Sequence, residues 1–377
     1  MRIVVPRESA PGELRVAVVP DSIPRLQGLG AEVAVEKGAG AAAFFPQADY
    51  SQAGALTVST HRQALSGADL LLKVRAPLER GEGVAEVVAL RRGSVLVGLL
   101  QARERPELLA QLAQRGITAF SLELLPRISR AQDMDVLSAM STVSGYYAVL
   151  LGASRLAKLF PLMMTAAGTI TPARVLVLGA GVAGLQAIAT ARRLGAVVRA
   201  FDVRPAVKEQ VESLGAGFVE LEQEVEHVEG SGGYAGEISH RAQRREQQAL
   251  AREVGEADVV ICTALVPGRR APILVTRAAV AAMRPGSVVV DLAAEAGGNC
   301  ELTRPGAEIT SRGVLVLGPL NVPSRLAHHA SQLFSRNVSR FATLLVKQGR
   351  LEFDLDDPVL AATCVAHEGR VREAGTV

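Results

Sequence analysis

Short runs of Val, Ile, Leu and Ala alternate with helix-patterned stretches along almost the whole chain. A first series of apolar runs predicts strands over Arg2–Val5, Glu32–Glu36, Asp69–Val74, Ser94–Gly98 and Ile117–Ser121. A second series predicts strands over Arg174–Leu178, Val197–Phe201, Asp258–Cys262, Ser287–Asp291 and Val314–Leu317. Helical spacing marks Asp21–Leu29, Pro106–Arg115, Gly184–Leu194 and Pro205–Leu214 between them. Continuously apolar strands alternating with helices point to α/β domains whose parallel sheets are covered on both faces. Two series predict two doubly wound, Rossmann-like domains.

The break falls in the mostly uncharged segment from Ala131 to Phe160, which is too long to serve one sheet. It is expected to be an inter-domain helix over 131–160. The amphipathic stretch Pro323–Gln348 follows the last strand of the second series and is expected to return the chain to the first domain. The expected layout is a discontinuous first domain, 1–130 plus 325–377, the helix, and a second domain, 161–324. Glu220–Gly236, acidic and then Gly-Ser-Gly-Gly, is expected to be a mobile loop.

Composition sharpens this picture. Mean hydropathy is +0.23, and 49% of residues are hydrophobic while only 3% are aromatic. Either membrane spans or buried parallel strands give such values. A span needs about 20 continuous apolar residues. The best candidate, Val136–Ser154, is interrupted by Ser138, Ser141, Thr142, Ser144, Gly145, Tyr146 and Tyr147, a hydroxyl density that suits a buried helix better than lipid. The N-terminal MRIVVPRESAPGELR has no apolar signal core. A soluble, cytoplasmic chain is expected. Net charge is +3, no run of like charge forms a basic stripe, and few aromatics are available to stack on bases, so nucleic-acid binding is not expected. Cys262, Cys300 and Cys364 are scattered without a CxxC pair, His328 and His329 are adjacent, and no HExxH occurs, so no metal site is expected.

Gly179-Ala-Gly181-Val182-Ala-Gly184 is a GxGxxG, and its setting gives it weight. An apolar strand leads in, a helix leads out, and the next strand ends at Asp202, roughly 20 residues on. Gly179 permits the tight turn, Gly181 lets a pyrophosphate approach the backbone, and Gly184 lets helix and strand pack closely. Asp202 is placed to accept from ribose hydroxyls and to repel a 2′-phosphate, which favours NAD(H) over NADP(H). Arg204 stays open to three readings: receiving a 2′-phosphate, pairing with Asp202, or packing on adenine. A second Gly-rich stretch, Lys37–Ala43, runs into Pro46 and reads as a turn. Two further segments lie where strand ends meet ligands in such folds. They are Thr263-Ala264-Leu265-Val266-Pro267-Gly268 and Asp291–Gly298, whose small residues admit a cofactor ring or form ordinary turns.

Several separate stretches carry a family resemblance: PRISRAQDMD (Pro126–Asp135), Met164–Gly195, TALVPG (Thr263–Gly268), VDLAAEAGGNC (Val290–Cys300) and NVPSR (Asn321–Arg325). Over nearly its whole length the chain resembles the NAD(H)-binding component, domain I or alpha-1 subunit, of Re/Si-specific, proton-translocating nicotinamide nucleotide transhydrogenase. More distantly it is similar to alanine dehydrogenase. The resemblance implies that Arg127, Gln132 and Asp135 lie in a loop beside the nicotinamide, with Ser138 a further cofactor contact. Arg127 would reach phosphates, Gln132 the second nucleotide's ribose, and Asp135 the nicotinamide amide. An ion-pair network of Arg127, Arg130 and Asp135 at a helix start is the other reading. The resemblance also implies that the tip of a loop closing over NAD(H) falls on Gly233-Tyr234-Ala235. The family often has Met four residues after the Tyr, where this chain has Ile238.

The two relatives differ in chemistry. An amino-acid dehydrogenase moves protons as well as hydride and needs a general acid/base. Relatives of that type carry a Lys and a His in the first domain. The Lys position is Lys73, but the His position falls on Gln101, which cannot titrate, while Arg15 could still hold a carboxylate. Transhydrogenation passes a hydride between two nicotinamides held about 3–3.5 Å apart, so it demands positioning above all. The resemblance therefore implies NAD(H) on this chain and NADP(H) on a partner subunit. It also implies a membrane-spanning, proton-translocating partner, and a homodimer docked on the inner face of the membrane. An alanine dehydrogenase-like amino-acid dehydrogenase is the alternative, and a non-catalytic NAD(H) sensor a third reading.

Overall fold

The computed structural model of the chain describes residues 1–78, 86–220, 240–266 and 269–372. It divides into two compact units, Met1–Met140 with Pro323–Val377, and Ser141–Val322.

In the first unit the described strands form one sheet. Its order is Leu56–Val58, Glu32–Glu36, Arg2–Val5, Leu70–Arg75, Val95–Leu99, Thr118–Ser121, Cys364–His367, Arg370–Val371. The first six are parallel. The direction of winding reverses between Arg2–Val5 and Leu70–Arg75. Ile3, Val4, Val5, Leu70, Leu71 and Leu72 are all fully buried, which explains why these strands read as unbroken apolar runs. Each such side chain stabilises the fold by about 1.5–3 kcal/mol relative to exposure.

The last part of the chain completes this unit. Helix Ala327–Leu345 buries Phe334, Val338 and Phe341 completely. Its serines serve the extended segment after Arg15: the Val16 N–H donates to Ser331 Oγ and the Val19 N–H to Ser335 Oγ, both at 3.0 Å. Phe341 meets Phe120 edge-on at 5.6 Å.

In the second unit the main sheet runs Gly217–Phe218, Val197–Phe201, Arg174–Leu178, Val259–Cys262, Val288–Asp291, Val314–Leu317, Glu308–Ser311. All are parallel except Glu308–Ser311. Winding reverses between Arg174–Leu178 and Val259–Cys262, the point at which open α/β sheets leave a crevice.

Two expectations are corrected. The sheets are not wholly parallel: Cys364–His367, Arg370–Val371 and Glu308–Ser311 are antiparallel edge strands. Edge strands reached by short returns need no crossover helix, so they escape the βα rhythm. The helix expected over 131–160 covers only Val136–Arg155, and Ser129–Met134 forms 3-10 turns instead. Asp135 sets the start by capping. Its Oδ1 accepts from the Ser138 N–H at 2.9 Å and its Oδ2 from Ser138 Oγ at 2.5 Å.

Val136–Arg155 is long and apolar enough to cross a membrane by length and composition. From Ser141 onward, however, it belongs to the core of the second unit. Ala148 and Val149 are fully buried there, and a Cβ on Gly152 would meet Val259 at 3.0 Å. Lys37–Ala43 is a turn, with Gly38 at φ +77° and a single 3-10 turn at Ala41–Ala43. The three cysteines are free and buried.

Candidate functional site

The GxGxxG joins strand Arg174–Leu178 to helix Val182–Arg193. Gly179 has φ +95°, and a Cβ there would press on Thr263 Oγ1 at 2.8 Å. Gly184 lies so close to the Gly179 carbonyl that a Cβ would overlap it. At Gly181 nothing stands within 4 Å of a built Cβ. The three glycines thus divide into a turn, an open face and a close contact. Gly181 is the helix N-cap and has no side-chain cap. The first-turn N–H groups of a twelve-residue helix therefore meet the open face, the arrangement that suits a phosphate. Val182 beside them is 43% exposed.

Asp202 follows strand Val197–Phe201 and is buried. Its Oδ2 accepts from the Ala180 N–H at 2.7 Å, tying the second strand end to the Gly-rich turn. Arg204 lies on the same carboxylate, so the structure selects the pairing among the three readings of that residue.

Across the crevice, Thr263, Ala264 and Leu265 follow strand Val259–Cys262. Thr263 Oγ1 donates to the Gly179 carbonyl at 2.8 Å. Ala264 is held by Asn299, and Leu265 is 45% exposed. Gly179, Gly181, Val182, Gly184, Asp202, Arg204, Thr263, Ala264 and Leu265 are thereby gathered at the carboxyl ends of three adjacent strands. Gly233 and Tyr234, like Pro267 and Gly268, lie outside the described residues.

Arg127, Gln132, Asp135 and Ser138 belong to the first unit. Arg127 and Gln132 are exposed, and Asp135 and Ser138 are joined in the helix cap. Arg130 pairs with Asp357 at 2.5 Å rather than with Asp135.

Sequence reasoning missed two buried polar clusters. One surrounds Asp291, at the end of strand Val288–Asp291. Its carboxylate accepts from the Ala293, Asn299 and Cys300 N–H groups and from Thr303 Oγ1. Burial raises its pKa, with those hydrogen bonds opposing. The Cys262 thiol beside it is pushed well up by burial and by the Asp291 charge, so it is not a poised nucleophile. The GGN run just after the strand was the available signal.

The other cluster lies at the strand ends of the first unit. Lys73, fully buried, donates to both Glu86 oxygens at 2.8 and 2.9 Å and stands 3.9 Å from Glu8. His61 bridges Glu36 at 2.7 Å and Glu86 at 2.8 Å. The hydrogen bonds to Glu36 and Glu86 raise the imidazole to about 9. Burial alone would raise Glu86, but His61 and Lys73 hold it at about 2. Arg15, buried, donates Nε and Nη2 to Glu13 at 2.7 and 2.6 Å. Gln101 is exposed with φ +55°. Among the described residues no group of three or more His, Cys, Asp or Glu is arranged to hold a metal ion.

Fold and site together define a two-domain Rossmann-like protein with a dinucleotide-type glycine cradle in its second unit. The chain belongs to the alanine dehydrogenase/PNT family, whose N-terminal domain matches residues 4–144 and C-terminal domain residues 148–374. In Rhodospirillum rubrum the alpha subunit of NAD(P) transhydrogenase is split, and this chain is 48% identical over 374 residues to the first piece, covering 98% of this chain and 97% of that protein. It is 30% identical to alanine dehydrogenase of Mycobacterium tuberculosis, covering 98% and 94%. A transhydrogenase structure from Sinorhizobium meliloti, 42% identical, superposes with a TM-score of 0.88 over 99% of this chain and 100% of that one.

Proposed function

We propose that this chain is the NAD(H)-binding subunit of a Re/Si-specific, proton-translocating NAD(P) transhydrogenase. The observation that carries the reading is the near full-length likeness to a protein named as a piece of a transhydrogenase subunit. The chemistry of the site supports it.

The second unit fits NAD(H). Gly181 leaves room for a pyrophosphate at an uncapped helix start, and Asp202 offers a carboxylate to the ribose. When bound, NADH supplies the hydride, which NADP⁺ held by a partner subunit accepts. Thr263–Leu265 bound the site on the nicotinamide side. Gln132 sets the approach of the second nucleotide, Arg127 steadies phosphates, and Asp135 with Ser138 serves the nicotinamide amide. Gly233 and Tyr234 belong to the covering loop.

No step asks this chain for a proton. Lys73 and Arg15, which could serve an amino-acid substrate, are spent on Glu86 and Glu13. Proton movement belongs to a membrane-spanning partner, on whose cytoplasmic side this subunit sits. The subunit is a homodimer in this reading. The hairpin Met163–Thr165/Gly168–Ile170 supports that, because it exposes Leu162, Met164 and Ile170.

The test mixes the purified chain with a transhydrogenase NADP(H)-binding domain and follows NADH-to-NADP⁺ hydride transfer. Transfer is expected. Its absence, with NADH binding intact, overturns the reading. The likeness to alanine dehydrogenase supports one alternative, which alanine-dependent NAD⁺ reduction without any partner would establish.

A further inference from the structure

We propose that Asn299 is a positioning residue that clamps Ala264 and thereby shapes the wall met by the nicotinamide half of the dinucleotide. This deepens the transhydrogenase reading and rests on it.

Asn299 is fully buried. Its Oδ1 accepts from the Ala264 N–H at 3.0 Å, and its Nδ2 donates to the Ala264 carbonyl at 2.9 Å. The second Nδ2 proton goes to the Pro272 carbonyl at 2.8 Å. A carboxamide that meets both the N–H and the C=O of one residue reproduces what a neighbouring strand would offer. The orientation of the amide is unambiguous, because turning it over would set oxygen against two carbonyls.

The clamp begins where the ladder ends. Strands Val259–Cys262 and Val288–Asp291 are in register up to the pair Cys262–Asp291. Beyond that point Ala264 is held by a side chain instead of a strand. Asn299 is itself fixed, since its N–H donates to Asp291 Oδ2 at 2.8 Å and its carbonyl accepts from the Leu274 and Val275 N–H groups. On the other side, Thr263 Oγ1 is hydrogen-bonded to the Gly179 carbonyl. Thr263–Leu265 is therefore stitched to the Gly-rich turn at one end and to the Asp291 loop at the other.

Strand order tells which half of the cofactor this segment serves. Asp202 lies on one side of strand Arg174–Leu178, and Thr263–Leu265 lies on the other. A dinucleotide laid across that point puts its pyrophosphate at the Gly-rich turn and its adenosine at Asp202. The nicotinamide half falls to Thr263–Leu265. Loosening the clamp should therefore affect one half of the ligand and spare the other.

The test compares ADP-ribose, which lacks the nicotinamide, with NADH on the full chain carrying Asn299→Asp or Asn299→Ser. Asp keeps the size but sets an oxygen against the Ala264 and Pro272 carbonyls, and Ser removes the clamp. The expected result is NADH affinity lowered at least about tenfold in both variants, with ADP-ribose affinity within about twofold of the parent. Retained ADP-ribose binding also reports a folded second unit. Equal loss of both ligands, or no loss of either, overturns the inference. If the parent chain binds neither ligand, the dinucleotide reading falls first and takes this inference with it.

Discussion

The Arg204 guanidinium lies bidentate on the Asp202 carboxylate, Nε on Oδ1 and Nη2 on Oδ2, both at 2.9 Å. The Arg204 and Ala180 N–H groups take the two remaining acceptor positions. A carboxylate offers about four such positions, so ribose hydroxyls must displace the guanidinium to reach Asp202. Arg204→Ala should therefore raise the preference for NADH over NADPH, because it frees the carboxylate and removes a partner for a 2′-phosphate. Asp202→Ala should weaken NADH about tenfold or more and lower that preference. Equilibrium binding of both cofactors reads the ratio, and an unchanged ratio in both variants would count against the assignment.

Gly184→Ala sets two effects in opposition. Alanine favours a helix by about 1 kcal/mol. Its Cβ would overlap the Gly179 carbonyl, and overpacking of this kind costs about 1–3 kcal/mol. Backbone cannot yield as a side chain can, so the clash should prevail. The denaturant midpoint should fall, and NADH affinity should drop with it as the turn shifts.

The first unit should lose stability in alkali. His61, hydrogen-bonded to Glu36 and Glu86, is raised from 6.5 to about 9. Its contribution is complete below about 6.5 and disappears as pH rises through about 9. Glu86, lowered to about 2 from 4.5, contributes above 4.5 and is lost as pH falls toward 2. Burial pushes Glu8 upward, so it works against Glu86 in acid, and the alkaline arm is the cleaner one. Urea midpoints between pH 6 and 10 should decline for the parent and stay level for His61→Gln. Parallel declines would remove His61 from the account.

Gln132→Asn should slow hydride transfer far more than it weakens NADH binding. Gln132 is exposed on the turn before Asp135, and shortening its side chain withdraws the amide from the second nucleotide. Single-turnover rates set beside NADH affinity separate the two effects. An equal loss in both would make it a plain binding residue.

Met164 is 77% exposed on its hairpin. Met164→Asp should shift the dimer to monomer in sedimentation while leaving ADP-ribose binding intact. A dimer that persists at low concentration would place the interface elsewhere.

The elements that packing on both faces defines were legible in sequence. Arg174–Leu178 and Val197–Phe201 occur at the expected bounds, because both strands lie inside the sheet and their apolar runs end where burial ends. The GxGxxG was legible because turn, open face and contact each demand glycine. Cys364–His367 was not, since an antiparallel edge lacks the βα rhythm. The Lys73 cluster was hidden for another reason. Glu8, Glu36, His61 and Glu86 follow or flank different strands, and only the sheet order brings their carboxylates to one ammonium and one imidazole. Asp135 showed its position but not its task, because a capping carboxylate and a ligand-binding one look the same in a sequence. Asn299 carried no periodic signal at all.

The first unit draws strand Cys364–His367 and the covering helix Ala327–Leu345 from the far end of the chain. During synthesis, every residue of Ser141–Val322 leaves the ribosome before that cover exists. Domains fold as units while they emerge. The nucleotide-binding unit is thus free to close early, although the chain begins with its neighbour. The strands made first wait longest, with Ile3 and Val4 uncovered. That interval is when this protein is most exposed to aggregation and most in need of a chaperone.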